Sequence, residues 1–307
     1  MASKKLAYHL LALAVVAVWG VTFVCTKTLI SAGMHPAAIF TIRFILAYTG
    51  ILILSIAEKG KFRLLSNNWK DELMFLFLGV SGGSMYFLTE NTALAYSQAS
   101  NVAFLVCVAP VFTALFTLVG RNILNERFRN GLEDVRLGFP LIGGTVLALV
   151  GMALVLFDGE KVELSLKGDL LAIGAALCWA FYSMFIGQMT KDYGATFATR
   201  KVFFYGLLTI IPFLGSTGNS FSMEILSQPV VYLNLLFLGL IASLACFIVW
   251  NLVVSRLGNV TSTNYVYLNP VFTLITAAIV LGERMTPISV IGSAAILAGV
   301  ILAGRKG

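Results

Sequence analysis

Charge is what this chain has least of. Only 11% of its 307 residues are Asp, Glu, Lys or Arg, against 59% hydrophobic. No soluble core of that length hides so much apolar side chain; a bilayer does. Histidine is scarce too. His9 and His35 fall on opposite sides of the membrane in the topology derived below, so they cannot combine into a catalytic or metal site. Cys25, Cys107, Cys178 and Cys246 lie inside apolar runs without CxxC spacing, and read as packed thiols, neither disulfides nor metal ligands. A phosphate-cradling GxxxxGKS or GxxxxGKT loop is missing, which argues against an ATP-driven pump. The net charge of +7 comes as short cationic segments between apolar runs. A nucleic-acid partner would need a basic patch interleaved with stacking aromatics, so that class drops out. No cofactor and no metal is implied.

What the chain does have is repetition. The stretch 77–113, FLGVSGGSMYFLTENTALAYSQASNVAFLVCVAPVFT, returns without a gap at 237–273 as FLGLIASLACFIVWNLVVSRLGNVTSTNYVYLNPVFT. Asn91 falls on Asn251, and Pro110-Val111-Phe112-Thr113 falls on Pro270-Val271-Phe272-Thr273. Leu, Val and Phe coincide often in apolar sequence, but Gly, Asn and Pro-Val-Phe-Thr in one register do not, so the chain carries an internal repeat.

A bilayer takes about 20 apolar residues per helix. The runs at 8–30, 36–57, 73–96, 98–120, 138–157, 168–190, 196–215, 230–255, 260–281 and 287–304 fit that length. The first, preceded by Lys4-Lys5, superficially suggests a secretory signal. It is too long, lacks a clear cleavage site, and has a twin at 170–189 with Trp179 matching Trp19. The expectation is an all-α membrane protein of ten helices. Residues 1–157 form one five-helix repeat and 158–307 the second. Cations concentrate in the segments that share a side with the amino end (Lys59, Lys61, Arg63, Arg121, Arg127, Arg129, Arg136 and others), leaving Lys161, Lys167 and Arg284 opposite. This puts both termini in the cytoplasm of a multi-pass protein of the cell's inner membrane. Five is odd, so the second repeat runs inverted. That plan belongs to secondary transporters, which hold a solute near the midplane between their halves.

Small residues recur at helical spacing in the fifth run (Gly144, Ala148, Gly151) and the tenth (Ala295, Gly299, Ala303). Close internal packing is preferred over a dimer interface, leaving a monomer or weak dimer. Pro110 and Pro270 fall inside the fourth and ninth runs. Each should kink its helix and free a carbonyl near Val106 and Val266, as a rigid bend or a hinge.

These residues carry a family resemblance. Trp19-Gly20, Asn91-Thr-Ala-Leu-Ala-Tyr96, Ala109-Pro110-Val-Phe112, Asn125-Glu126-Arg127, Asn269-Pro270-Val-Phe272 and Gly282-Glu283-Arg284 resemble the drug/metabolite transporter superfamily, in particular its ten-helix EamA-type permeases. The resemblance spans both halves. It implies a gradient-linked carrier or facilitator, commonly an exporter of amino acids or related metabolites, working by alternating access around a central cavity. It does not name the substrate. The first Glu-Arg corner departs from strict symmetry by three residues relative to the second.

Ionisable groups at membrane depth face a cavity or a partner. Lys27 shares a helix face with Trp19 and Phe23, and either snorkels outward or pairs with Glu90. Glu90 follows Tyr86 along one side of the third run, as an ion-pair partner or a proton-coupling site. Arg43 and Lys201 align between repeats, each some way inside its run from opposite ends. They would guard the two mouths of a cavity against a carboxylate- or phosphate-bearing solute, or simply anchor at the interface. Asn91, Asn251, Tyr265, Asn269, Trp179 and Tyr182 complete an aromatic pocket with a few amides and hydroxyls, or serve as interhelical bridges. The functional ordering is secondary carrier of small metabolites such as amino acids, with proton or counter-solute coupling, then a channel-like facilitator, then a membrane-embedded enzyme.

Overall fold

The computed structural model describes residues 2–57, 63–134, 138–156, 165–218, 220–280 and 286–303. Its long helices are α1 (Ala2–Ser31), α2 (Pro36–Ala57), α3 (Trp69–Tyr96), α4 (Asn101–Ile123), α5 (Phe139–Leu156), α6 (Leu166–Tyr193), α7 (Ala195–Gly215), α8 (Pro229–Leu257), α9 (Asn259–Val280) and α10 (Pro287–Ala303). Eight of them are long and apolar enough to cross a membrane, and α5 and α10 are shorter apolar helices. No strand occurs among the described residues. The second Glu-Arg corner and most of the segment joining the halves lie outside those residues. Local sequence sets the tight corners. The α1–α2 turn passes through Gly33 at φ 92° and the α6–α7 turn through Gly194 at φ 85°, a left-handed backbone that glycine adopts without a Cβ clash. Asn68 caps α3 by accepting the Asp71 amide at 2.9 Å.

Contacts come in exchanged pairs. Gly79 of α3 lies against Tyr205 and Gly206 of α7, while its repeat mate Gly239 of α8 lies against Leu46 and the Arg43 carbonyl of α2. An element touching its partner's counterpart in both directions is the signature of a two-fold relation. The same two helices each carry a π-helical turn in the matching place, Val80–Ser84 in α3 and Phe237–Ala245 in α8. One extra residue per turn re-aims every side chain beyond it, and such turns favour functional sites. Gly83 departs furthest, at φ −119° and ψ −106°. Apolar periodicity carries no sign of these turns.

The prolines behave differently from a mid-helix kink. The α4 chain completes one helix at Val106, passes through Cys107 and Val108 and restarts at Ala109, so Pro110 sits in the first turn of the new segment. A missing N–H costs little there, because the first-turn donors are unpaired anyway. In α9 a 3₁₀ stretch, Asn264–Leu268, leads to a restart at Asn269 that puts Pro270 in the same place. The Val266 carbonyl accepts the Asn269 amide in that stretch and also the Cys107 thiol at 3.1 Å, which ties the two breaks together across the repeats.

The glycine and alanine stripes of α5 and α10 pack on each other. A Cβ added at Gly144 would strike the backbone of Gly299 and Ala303, and one at Gly151 the backbone of Gly292 and Ile296. Close backbone approach therefore consumes both stripes inside the chain.

Candidate functional site

A cavity lies where the halves meet. It is lined by Trp19, Thr22 and Phe23 of α1, Arg43 of α2, Tyr86, Phe87 and Glu90 of α3, and Val106 of α4, with Trp179, Phe247, Val266 and Asn269 from the other half. Three of its walls are repeat mates facing one another: Trp19 with Trp179, Phe87 with Phe247, and Val106 with Val266. The tryptophan rings meet edge to face at 5.2 Å and 90°, and the two phenylalanine centroids lie 6.1 Å apart. The cavity interior has a volume of about 20 Å³, room for one or two waters. The cavity is narrow.

Polar groups break the symmetry of that apolar frame. Arg43 is 2% exposed and Glu90 5%. The Arg43 Nε donates to Ser243 Oγ of α8 at 2.5 Å, and the guanidinium lies 4.3 Å over the Phe87 ring. Glu90 accepts from the Tyr86 hydroxyl at 3.0 Å. The two charges act on one another electrostatically, yet among the described residues no Arg43 nitrogen comes within the 4.0 Å of a Glu90 oxygen that would make an ion pair. The tryptophan mates also differ. Trp19 Nε1 donates to the Ala242 carbonyl at 3.0 Å, whereas Trp179 Nε1 is buried without a hydrogen-bond partner among the described residues, as is Asn269 Oδ1.

The structure thus brings together Trp19, Phe23, Arg43, Tyr86, Trp179, Asn269 and Glu90, and leaves the other sequence candidates elsewhere. Lys201 does not face the cavity. It pairs with Glu72 at 2.8 Å and donates to the Leu64 carbonyl at 2.9 Å, beside Tyr205, so the paired-mouth reading with Arg43 fails on geometry. Half-buried Lys27 makes no ion pair with Glu90. Its ammonium donates to the carbonyls of Leu94 and Ser97 at 2.6 and 2.9 Å, closing the end of α3 where unpaired carbonyls favour a cation. Asn91 bridges to the Pro36 carbonyl at 3.2 Å. Asn251 accepts from Tyr182 at 2.5 Å and donates to Thr199 at 2.8 Å. Tyr265 meets His9 at 2.7 Å. These are helix-to-helix bridges outside the cavity lining. Thr22, Phe87 and Phe247 went unnamed by sequence reasoning, and Val106 and Val266 were named only for the carbonyls expected near the prolines. The 160-residue register that pairs Trp19 with Trp179 also pairs Phe87 with Phe247, and was the available signal.

A second polar cluster occupies the end of the bundle bearing the Asn125-Glu126-Arg127 motif. Asn125 caps the short helix Glu126–Gly131 through the Phe128 amide at 3.2 Å. Arg127 reaches Asp71 at 2.6 Å and Asp192 at 2.7 Å. The Asp71 carboxylate, then Asp192, hold its guanidinium well above the usual arginine range. Every one of these charges touches its opposite.

An all-helical membrane chain whose matching halves enclose a small aromatic cavity is built as a small-molecule transporter. The EamA-like transporter family profile matches residues 6–157 and again 166–305, and the chain belongs to that family. It is 27% identical over 301 residues to an uncharacterized transporter of Archaeoglobus fulgidus, with 97% of each chain covered. It is 26% identical over 305 residues to a "Probable amino-acid metabolite efflux pump" of Salmonella typhimurium, covering 95% of this chain and 93% of that one. A "Probable terminal-alkyne amino-acid exporter" of Streptantibioticus cattleyicolor is 25% identical over 237 residues, with 77% and 74% covered. A crystal structure with TM-score 0.67 and 17% identity covers 98% of this chain and 96% of its own, which establishes the fold.

Proposed function

We propose that this protein is a secondary carrier that exports small amphiphilic metabolites of the amino-acid class, by alternating access at the seam between its two halves. The observation that carries the reading is the narrow cavity walled by repeat mates. With room for only one or two waters, it admits a solute only when the halves part. A two-fold frame lets the same movement open either mouth. The helix restarts at Pro110 and Pro270 reach the cavity through Val106 and Val266, and act as the hinges that movement needs. Both termini lie in the cytoplasm and the protein resides in the inner membrane, on the strength of the cation distribution. The names of the Salmonella and Streptantibioticus relatives support amino-acid-like cargo and an outward direction.

The test is counter-flow in liposomes containing the purified protein. Labelled amino acid on one side should exchange with unlabelled amino acid on the other, with saturable kinetics. Flux that rises without limit as concentration increases would favour a channel-like facilitator.

A further inference from the structure

Opposite charges buried in one place normally touch, because each removes the other's desolvation penalty. Arg43 and Glu90 are both more than nine-tenths buried and line one cavity, yet they are held apart. Ser243 takes the Arg43 Nε, and Phe87 lies beneath the guanidinium. Tyr86 takes one Glu90 oxygen. Among the described residues, the terminal guanidinium nitrogens and the second carboxylate oxygen have no protein partner. Beside them stand a buried indole donor, Trp179 Nε1, and a buried amide acceptor, Asn269 Oδ1, neither used by the protein. The indole is informative because its mate is satisfied. Trp19 donates to Ala242, and the equivalent bond from Trp179 to Gly82, the counterpart of Ala242, is not among those formed.

We infer that Arg43 and Glu90 form a divided charge pair completed by the cargo: the Arg43 fork holds the carboxylate of a zwitterion and Glu90 holds its ammonium. Resting on the carrier function proposed above, this names which residue reads which end. Arginine suits a carboxylate because its planar donors match the two oxygens. Trp179 Nε1 and Asn269 Oδ1 offer a further donor and a further acceptor in the same lining. Trp19, Phe87 and Phe247 leave an apolar aromatic wall for the remainder of the solute. A monoanion leaves Glu90 unmatched and a monocation leaves Arg43 unmatched, so selection works by the penalty on an unpaired buried charge.

Both charges come from the first repeat, on α2 and α3. Their counterparts in the second repeat do not duplicate the grip: Trp250 stands at the Glu90 position, and Lys201 is engaged by Glu72. The two charged groups that read the zwitterion are therefore supplied by the first repeat alone.

The experiment measures inhibition of counter-flow by L-phenylalanine, its methyl ester (ammonium only) and N-acetyl-L-phenylalanine (carboxylate only), with L-leucine and its two matching derivatives run in parallel. Wild-type protein should prefer each zwitterion over both derivatives by at least tenfold. Arg43→Gln should erase the preference over the ester while keeping the preference over the N-acetyl compound, and Glu90→Gln should do the reverse. Equal inhibition by all three forms on wild-type protein overturns the inference and leaves the carrier intact. So does saturable flux of a singly charged solute with no response to either zwitterion. No saturable flux of any solute overturns the carrier itself, and this inference with it. Should Arg43→Gln fail to fold by size-exclusion, the derivative comparison on wild-type protein still decides, and Arg43→Lys, which keeps the charge but loses the fork, should weaken the zwitterion selectively.

Discussion

The cavity and the cluster around Arg127 are both polar regions in an apolar chain, and they treat charge in opposite ways. In the cluster Arg127 touches Asp71 and Asp192, and Lys201 touches Glu72. In the cavity Arg43 and Glu90 are as buried as Asp71 and Lys201 but kept apart, with donors and acceptors left over. Direct pairing minimises the cost of burying an ion, so it is what a purely structural role produces. Charges held short of pairing store that cost for something that arrives later. The difference separates groups that hold the bundle together from groups that serve its cargo.

That contrast can be broken most sharply with Arg43→Met/Glu90→Met. Replacing separated buried ions with apolar side chains should raise stability by about 1–4 kcal/mol while abolishing saturable counter-flow; a lower melting temperature would mean the two charges are structural after all. Lys201→Met should do the opposite. It leaves Glu72 without its cation, and because Glu72 retains Tyr205 and part of its exposure the loss should be about 2–3 kcal/mol. Thermal unfolding in detergent reads it, and the Michaelis constant for amino-acid counter-flow should stay within twofold. Gly79→Ala tests the exchanged helix contacts. The new methyl meets Tyr205 and the Gly206 backbone, so overpacking should cost about 1–3 kcal/mol, again seen as a lower melting temperature. The smallest effect belongs to Trp179→Phe. Losing an unpartnered buried N–H costs no hydrogen bond, so stability should fall only by the packing of the smaller ring, about 1 kcal/mol, while amino-acid affinity, measured by ligand-induced thermal shift, falls about three- to tenfold.

Much of the architecture could be read from the residues. Apolar run lengths identified the helices, and the Asn91/Asn251 and Pro110/Pro270 register pointed to a cavity between matched halves. The site was legible only where a residue's role follows from its repeat mate, as with Trp19 and Trp179. It was not legible where depth along a helix stood in for facing direction. Arg43 and Lys201 align between repeats, but one faces the cavity and the other Glu72. Lys27 and Glu90 share a depth, but the lysine turns to the carbonyls closing α3.

Hydropathy and repetition are properties of neighbours along the chain, so the sequence by itself determined that this is a duplicated, all-helical membrane protein with polar groups buried in its spans. Which of those groups share a cavity depends on how each helix is rotated and where it is over-wound. The π-helical turns of α3 and α8 and the restarts before Pro110 and Pro270 shift that rotation partway along a span. Only packing between helices decides where such a shift is stable, and so only the tertiary structure could set Arg43 opposite Glu90 with a space between them.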